Sequence, residues 1–137
     1  MTYYQAPEQV IYTPSGTPVT RQSERYAAMA AHLSALVAML LSAGWLSFVG
    51  PLVVWLIVKE QSPYARHAAA SSFNFNVFAW LMAIVGWVAF FTVVGIPLAV
   101  VLWLTAFFMT IWTHARAAIA AYRGEVYRYP VQARLLN

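Results

Sequence analysis

The chain has 137 residues, of which 62% are hydrophobic and only 9% are charged. Its length allows one domain, and its apolar content is far above what a soluble core requires. The net charge of +4 comes without any cysteine, which excludes disulfides, thiolate metal sites and thiol catalysis.

The N-terminal residues 1–24 are predicted to form a disordered tail. They contain Pro7, Pro14 and Pro18 among Thr, Tyr and Gln residues. They also lack the basic start and apolar middle of a cleavable signal peptide. We therefore expect a flexible segment that contributes nothing to the core.

Two long apolar runs follow the tail. No Asp, Glu, Lys or Arg occurs between Arg25 and Lys59, or between Arg66 and Arg116. A run of about 18 such residues is the signal for a membrane-spanning helix. The pattern predicts an all-α fold, a polytopic transmembrane helical bundle within residues 25–124.

Each run is predicted to contain two helices. As one helix, the first run would measure roughly 50 Å, against a hydrocarbon core of roughly 30 Å. Gly44 and Ser47 lie in this run, followed by Gly50 and Pro51, and proline inside a helix removes a hydrogen bond. We therefore divide the run, with the helix break at Gly50 and Pro51 and an uncharged connector around 44–50. This gives a helix over 26–43 and a short or re-entrant one over about 51–58, whose start could lie nearer Trp45.

The second run divides at Gly95-Ile96-Pro97 into helices over about 72–94 and 97–121. If the first two helices form a hairpin, every basic residue lies on one face of the membrane. The positive-inside rule then predicts a multi-pass membrane protein with both termini cytoplasmic. The basic residues are Arg21, Arg25, Lys59, Arg66, Arg116, Arg123, Arg128 and Arg134. Because they flank apolar runs, we expect them to contact lipid headgroups and not nucleic acid.

Small residues recur at a spacing of three or four in the stretches 27–42, 72–86 and 106–121. Helices in lipid associate through such stripes, because small side chains let two backbones approach. They favour packing within the bundle and association with a second copy or another membrane protein.

Polar residues within the spans are candidates for a site. A metal site or proton relay at His32, His67 and His114 is conceivable, since ionisable groups in membranes are often functional. The simpler reading gives these histidines interfacial and packing roles, because no acidic partner or HxxxH pattern accompanies them within the spans. We expect no metal site and no cofactor.

Two asparagines, Asn74 and Asn76, lie within the third predicted helix. Asn76 lies on a small-residue stripe and is expected to hydrogen bond to a neighbouring helix. His67, Ser71 and Asn74 form a polar stripe on one helix face and could line a cavity. That cavity, together with the helix break at Gly50 and Pro51, would suit a small transporter or channel.

Enzyme chemistry finds little support in the sequence. All acidic residues lie outside the apolar runs: Glu8, Glu24, Glu60 and Glu125. No nucleophile elbow, phosphate loop or HExxH motif is present. We predict a non-enzymatic protein.

The C-terminal residues 125–137 are predicted to lie on the cytoplasmic membrane surface, packed under the bundle. Gly124 suits the left-handed conformation that ends helices. Beyond it, Arg128 alternates with Tyr127 and Tyr129, a mixture typical of the headgroup zone.

Three segments resemble the Tic20-like family of small bacterial membrane proteins, also catalogued as DUF4870. They run from Ala31-His32-Leu33 to Lys59-Glu60, from Ser62-Pro63-Tyr64 to Asn76, and from Tyr122-Arg123-Gly124-Glu125 to Leu136. The stretch 69–72 and Asn76 depart from the family's usual pattern. The resemblance implies a compact bundle related to a chloroplast import component, with a role in translocation or membrane assembly and no established reaction. The departures from the pattern and the lack of an Arg- and Ser-rich leader predict a bacterial cytoplasmic membrane and not a plastid.

Overall fold

The structure, a computed structural model, describes residues 21–137, so most of the predicted tail lies outside the described residues. The described chain contains four α-helices and no strand, which confirms the all-α prediction at this level. The helices are α1 (Gln22–Leu41), α2 (Val49–Val58), α3 (Pro63–Phe90) and α4 (Ile96–Tyr122), with a 3₁₀ turn at Val93–Gly95 before α4. Residues 22–24, assigned to the tail from sequence, are the first turn of α1.

Three helices form the centre of the bundle. Helices α1, α3 and α4 pack against one another, and α2 lies outside them against α1 and α3. The α1–α2 pair is an antiparallel hairpin: Val58 packs near Ala31, and Gly50 lies beside Ser34. The hairpin predicted from charge is therefore the observed path of the chain.

The chain reverses between Leu41 and Val49, within the region predicted as a connector around 44–50, but the break does not fall at Gly50 and Pro51. Gly50 and Pro51 lie inside the first turn of α2 and do not break a helix. The break falls at Ala43 and Gly44, whose φ angles are +51° and +91°. Glycine adopts this left-handed conformation without steric cost, and the Gly44 N–H donates to the Met39 carbonyl at 2.7 Å.

Gly50 has a packing role in place of the predicted break. A Cβ at this position would collide with the carbonyl oxygen of Ser34. The absence of a side chain therefore lets α2 approach the backbone of α1, as small residues do between helices in lipid.

Helix α3 begins at Pro63, well before the predicted start near residue 72. The Ser62 hydroxyl accepts the Ala65 N–H at 3.2 Å and donates to the Glu24 carboxylate at 2.7 Å. Serine followed by proline is a strong helix start, because the serine caps and proline already has a helical φ. Glu24 also accepts the Arg21 N–H at 2.8 Å, so it joins the starts of α1 and α3.

Two stretches of the described chain are long and apolar enough to cross a membrane, Pro63–Phe90 and Val93–Tyr122. In the most apolar 18 residues of these two stretches, only 28% and 17% of the window is buried inside the structure. The core helix of a soluble protein would bury most of such a window. Helix α2 is shorter, with ten residues that rise roughly 15 Å, about half of a bilayer core.

Helix α4 ends as predicted near Gly124, whose φ is +79°. The Glu125 N–H donates back to the Ala120 carbonyl at 2.9 Å, which closes the helix end. Residues 125–137, called the strap from here on, then fold back against the bundle without regular secondary structure.

Candidate functional site

A buried polar cluster lies where α1, α3, α4 and the strap meet. Its members are His32, Ser72, Asn76, His114 and Tyr129. His32 is 2% exposed and His114 is fully buried, so both side chains lie in the packed interior of the bundle. Only His67 is exposed on the surface of its helix.

Neighbouring alanines explain how imidazole rings fit into this bundle. Each buried histidine is followed or preceded by small residues on the same helix face. Ala28 and Ala35 lie one turn from His32, and Ala117 and Ala118 lie one turn from His114; all four are buried. Because these neighbours are small, the helices approach closely and the larger rings fill the space between them.

The hydrogen bonds of His114 define its tautomer. Its Nδ1 lies 3.0 Å from the Thr110 carbonyl oxygen, which can only accept, so Nδ1 carries the proton. Its Nε2 is therefore an acceptor. Nε2 lies 2.8 Å from the Asn76 amide nitrogen and 3.1 Å from the Ser72 hydroxyl.

These contacts join three helices. The Asn76 amide has two protons, one for the Ser72 carbonyl at 2.8 Å and one for His114 Nε2. The Ser72 hydroxyl then donates its single proton to the Ala31 carbonyl at 3.2 Å. In this arrangement α3 bonds α4 through Asn76 and α1 through Ser72. The Asn76 Oδ1 atom is buried with no partner among the described residues.

Tyr129 brings the strap into the cluster. Its hydroxyl lies 2.9 Å from His32 Nδ1, and its ring stacks on Phe75 with 4.8 Å between centroids. The His114 ring lies 5.3 Å away. Tyr129 is 6% exposed, and burial raises the pKa of its hydroxyl above the usual value. Tyr129 is therefore a neutral core residue and not the headgroup anchor predicted, whereas Tyr127 packs on it and is half-buried.

Asn74 holds the end of the strap. Its side-chain oxygen accepts the N–H groups of Leu135 and Leu136 at 3.1 and 2.9 Å. Its amide donates to the Leu136 carbonyl at 2.8 Å, and its own carbonyl accepts the Ala133 N–H at 3.2 Å. The side chain therefore pairs with the strap backbone much as a neighbouring strand would.

Of the predicted polar stripe on α3, His67 is exposed, whereas Ser71 and Asn74 are buried. The Ser71 hydroxyl lies 3.4 Å from His67 Nε2. A crevice of about 10 Å³, roughly enough for one water molecule, lies next to His67. Neither Ser71 nor Asn74 lines this crevice, so a polar cavity formed by all three residues stays a prediction.

Two further bonds fix the ends of the strap. The Tyr64 hydroxyl donates to the Glu125 carbonyl at 2.7 Å. The Trp55 indole N–H donates to the Asn137 carbonyl at 3.2 Å. The strap thus contacts all four helices, counting its own continuation from α4.

The basic residues that were predicted at the membrane interface are accessible. Arg66, Arg116, Arg123 and Arg128 are exposed, and Lys59 is half-buried. Lys59 lies 5.3 Å from the Trp55 ring, and Arg116 lies 5.6 Å from the Trp112 ring. A cation over an indole ring is a favourable arrangement in the headgroup region.

The part of the chain that the structure describes holds no group of three or more His, Cys, Asp or Glu residues placed to bind a metal ion. His32 and His114 have ring centroids 6.4 Å apart, and their nitrogens bond to Tyr129, Thr110 and Asn76.

Sequence reasoning missed the roles of two serines. Ser72 belongs to the buried polar cluster, and Ser62 caps α3 and bonds to Glu24. Ser62 could have been found, because Ser-Pro before an apolar helix is a start signal. Ser72 gives no such signal, since it is one of several small residues on its stripe and only the packed structure selects it.

A second feature lies at the opposite end of the bundle. A cavity of about 490 Å³, called the distal cavity, opens there. Its walls are the C-terminal end of α1 with the connector that follows, the second half of α3, and the first half of α4. Tryptophans and alanines make up half of its lining residues, and Trp45 stacks on Trp87 at its edge with 6.2 Å between centroids.

The helical fold and the exposed apolar helix faces are typical of a small all-helical membrane protein. A packed polar cluster lies at one end of the bundle, and exposed apolar side chains lie at the other. A family model described as the magnetosome magnetite crystal formation protein family (MamF/MmsF) matches residues 23–136. The chain belongs to this family. The match corrects the resemblance drawn from sequence, because the family found is not the Tic20-like one. No curated protein and no solved structure matched the chain.

Proposed function

We propose that this protein is a multi-pass protein of a bacterial membrane that takes part in magnetosome formation. We further propose that it acts without catalysis, by associating with itself or with other membrane proteins. The observation that carries the proposal is the family match over residues 23–136, together with helices whose apolar faces are largely uncovered.

The non-enzymatic part is supported by how the buried polar groups are used. His32 and His114 each bond within the protein, to Tyr129 and to Thr110 and Asn76. Groups engaged in this way hold helices and strap together. They are not presented to a substrate in a cleft, where catalytic acids and bases usually lie.

A topology with both ends cytoplasmic is supported by the charge distribution. The helix ends at Gln22, Val58, Pro63 and Tyr122 share one end of the bundle with the strap. All the basic residues lie at or near these helix ends or in the strap. The connectors over 42–48 and 91–95 contain no charged residue. This separation is what the positive-inside rule requires of a multi-pass protein.

Single-cysteine labelling tests the topology, and the cysteine-free chain makes it clean. Gln61→Cys and Gln132→Cys are exposed at the charged end, and Thr92→Cys is exposed at the other. We expect an impermeant maleimide to reach Thr92→Cys from outside the cell and the other two only after the membrane is opened. Gln61→Cys labelled from outside in intact cells would exclude the proposed orientation.

A deletion strain tests the role in magnetosome formation. We expect crystals of altered size or number by electron microscopy, restored by the wild-type gene and not by a Tyr129→Ala variant that loses the cluster. Tyr122→Ala, an exposed residue at the end of α4, is the matched control and should restore them. Normal crystals in the deletion strain would refute this role.

Crosslinking in native membranes tests association. We expect discrete homo-oligomers or a defined partner with reagents placed at exposed apolar positions such as Val101 and Phe108. Only monomer at every position tested would argue against self-association and partner binding alike.

A further inference from the structure

We propose that the distal cavity binds an acyl chain of a bilayer phospholipid. The inference rests on the membrane embedding proposed above, and it adds a ligand that neither the fold nor the family match assigns. The cavity volume of about 490 Å³ lies within the roughly 300–1,000 Å³ of pockets that hold small molecules.

The wall of the distal cavity is chemically suited to an apolar occupant. No Asp, Glu, Lys, Arg or His is among the described residues that line it. The indole N–H of Trp103, one of the four tryptophans in the wall, donates to the Ala83 carbonyl at 3.1 Å. Because that donor is already paired, Trp103 presents its apolar ring to the cavity.

Gly86 keeps the distal cavity open. A Cβ at Gly86 would lie 2.5 Å from Trp103 Nε1, which is closer than real atoms approach. Without that Cβ the indole packs against α3 and leaves the space beside it empty. The cavity therefore depends on one glycine and one held tryptophan, and not on loose packing alone.

The rim of the cavity indicates where its occupant enters. Leu40, Leu104 and Phe107 line it and are 75%, 51% and 47% exposed. Such side chains in helices α1 and α4 face hydrocarbon if the protein spans the bilayer. The opening is thus lateral, and lipid chains are the molecules that surround it. The lack of a cationic residue argues against a bound headgroup, which leaves the acyl chain as the inserted part.

Photo-crosslinking tests the proposal on the wild-type protein. The purified protein is reconstituted in vesicles of a phosphatidylglycerol whose acyl chain carries a terminal diazirine, and labelled residues are mapped by mass spectrometry. We expect labels on Trp103 in the cavity and on Phe108, which faces outward and is 63% exposed. A label on Phe108 without any in the cavity would overturn the proposal while leaving membrane embedding intact. Absence of label on both would contradict the membrane embedding itself.

Two variants that fill the cavity sharpen the result. Ala106→Leu adds volume at a lining position, and Thr105→Leu adds it at the neighbouring exposed position as a control. We expect Ala106→Leu to lose the Trp103 label and keep that on Phe108, whereas Thr105→Leu keeps both. Gly86→Ala places a Cβ against the Trp103 indole, so we expect this variant to lose the Trp103 label as well. Undiminished labelling of Trp103 in both variants would refute acyl-chain binding in this cavity.

Discussion

The two halves of the bundle differ in how many of their residues are buried and in the size of the side chains they expose. The charged half contains the helix ends at Gln22, Val58, Pro63 and Tyr122 together with the strap. Most buried residues lie here, and they are mainly alanine, serine, histidine and asparagine. The distal half, around the connectors 42–48 and 91–95, has large apolar side chains that are mostly exposed, and it contains the distal cavity.

The difference fits the surroundings that the proposed membrane embedding would give each half. Near the headgroups and water, burial of apolar area stabilises packing, which would draw residues such as Phe75 and Tyr129 inward. Among lipid chains that driving force would disappear, because the chains are as apolar as leucine. The distal half would then tolerate a cavity that lipid can fill.

The largest effect is expected for Tyr129→Ala, which removes the strap's main contact with the charged half. Loss of a buried aromatic residue costs about 3–5 kcal/mol of unfolding free energy. Chemical unfolding of the purified protein in detergent micelles measures this change. Tyr122→Ala, at a residue 59% exposed, is the control and should change stability little. Equal losses in the two variants would mean that the strap is not part of the core.

Val101→Arg tests whether the distal half faces lipid. Val101 is 58% exposed on α4. On a soluble surface the change would shift stability by about 0.5 kcal/mol or less. An arginine costs about 3 kcal/mol of insertion free energy at the centre of a spanning helix and less toward its ends. Val101 lies near the start of α4, so we expect a smaller loss that still exceeds the soluble-surface value. A glycosylation-based insertion assay measures it, with Ala115→Arg in the charged half as control; unimpaired insertion of Val101→Arg would contradict the comparison.

A smaller loss is expected for Asn74→Ala, which removes three side-chain hydrogen bonds to Leu135 and Leu136. At about 1 kcal/mol of net stability per bond, the strap end should be weakened by about 2–3 kcal/mol. Hydrogen exchange should show faster exchange of the Leu135 and Leu136 amides. Ser71→Ala, on the same helix and bonded only weakly to His67, should leave those amides protected.

The smallest effect is expected for Ser62→Ala at the start of α3. Loss of an N-cap costs about 1 kcal/mol, and here the bond to Glu24 is lost as well. Faster exchange of the Ala65 amide would report the lost cap. Ser34→Ala is the control, because that hydroxyl bonds only within α1, to Ala31. If Ser62→Ala leaves Ala65 exchange unchanged, the cap does not set the start of α3.

Several features of the fold could be predicted because local sequence decides them. The helix stop at Gly124 follows from its freedom to adopt a positive φ. The hairpin of α1 and α2 follows from the position of charge at the ends of apolar runs. The predicted break at Gly50 and Pro51 was wrong, because proline is tolerated in a first helical turn and Gly50 was needed for contact with Ser34.

The candidate site could not be predicted in the same way. His32 and Tyr129 are 97 positions apart, and their hydrogen bond exists only because α1, α3 and α4 leave a gap that the strap fills. The sequence alone determined the number, direction and apolar character of the helices, since these depend on composition and spacing along one segment. Which polar residues became core, and which tryptophan borders a cavity, was decided by the tertiary structure. Those outcomes depend on the volume left where separate helices meet, and no single segment specifies that volume.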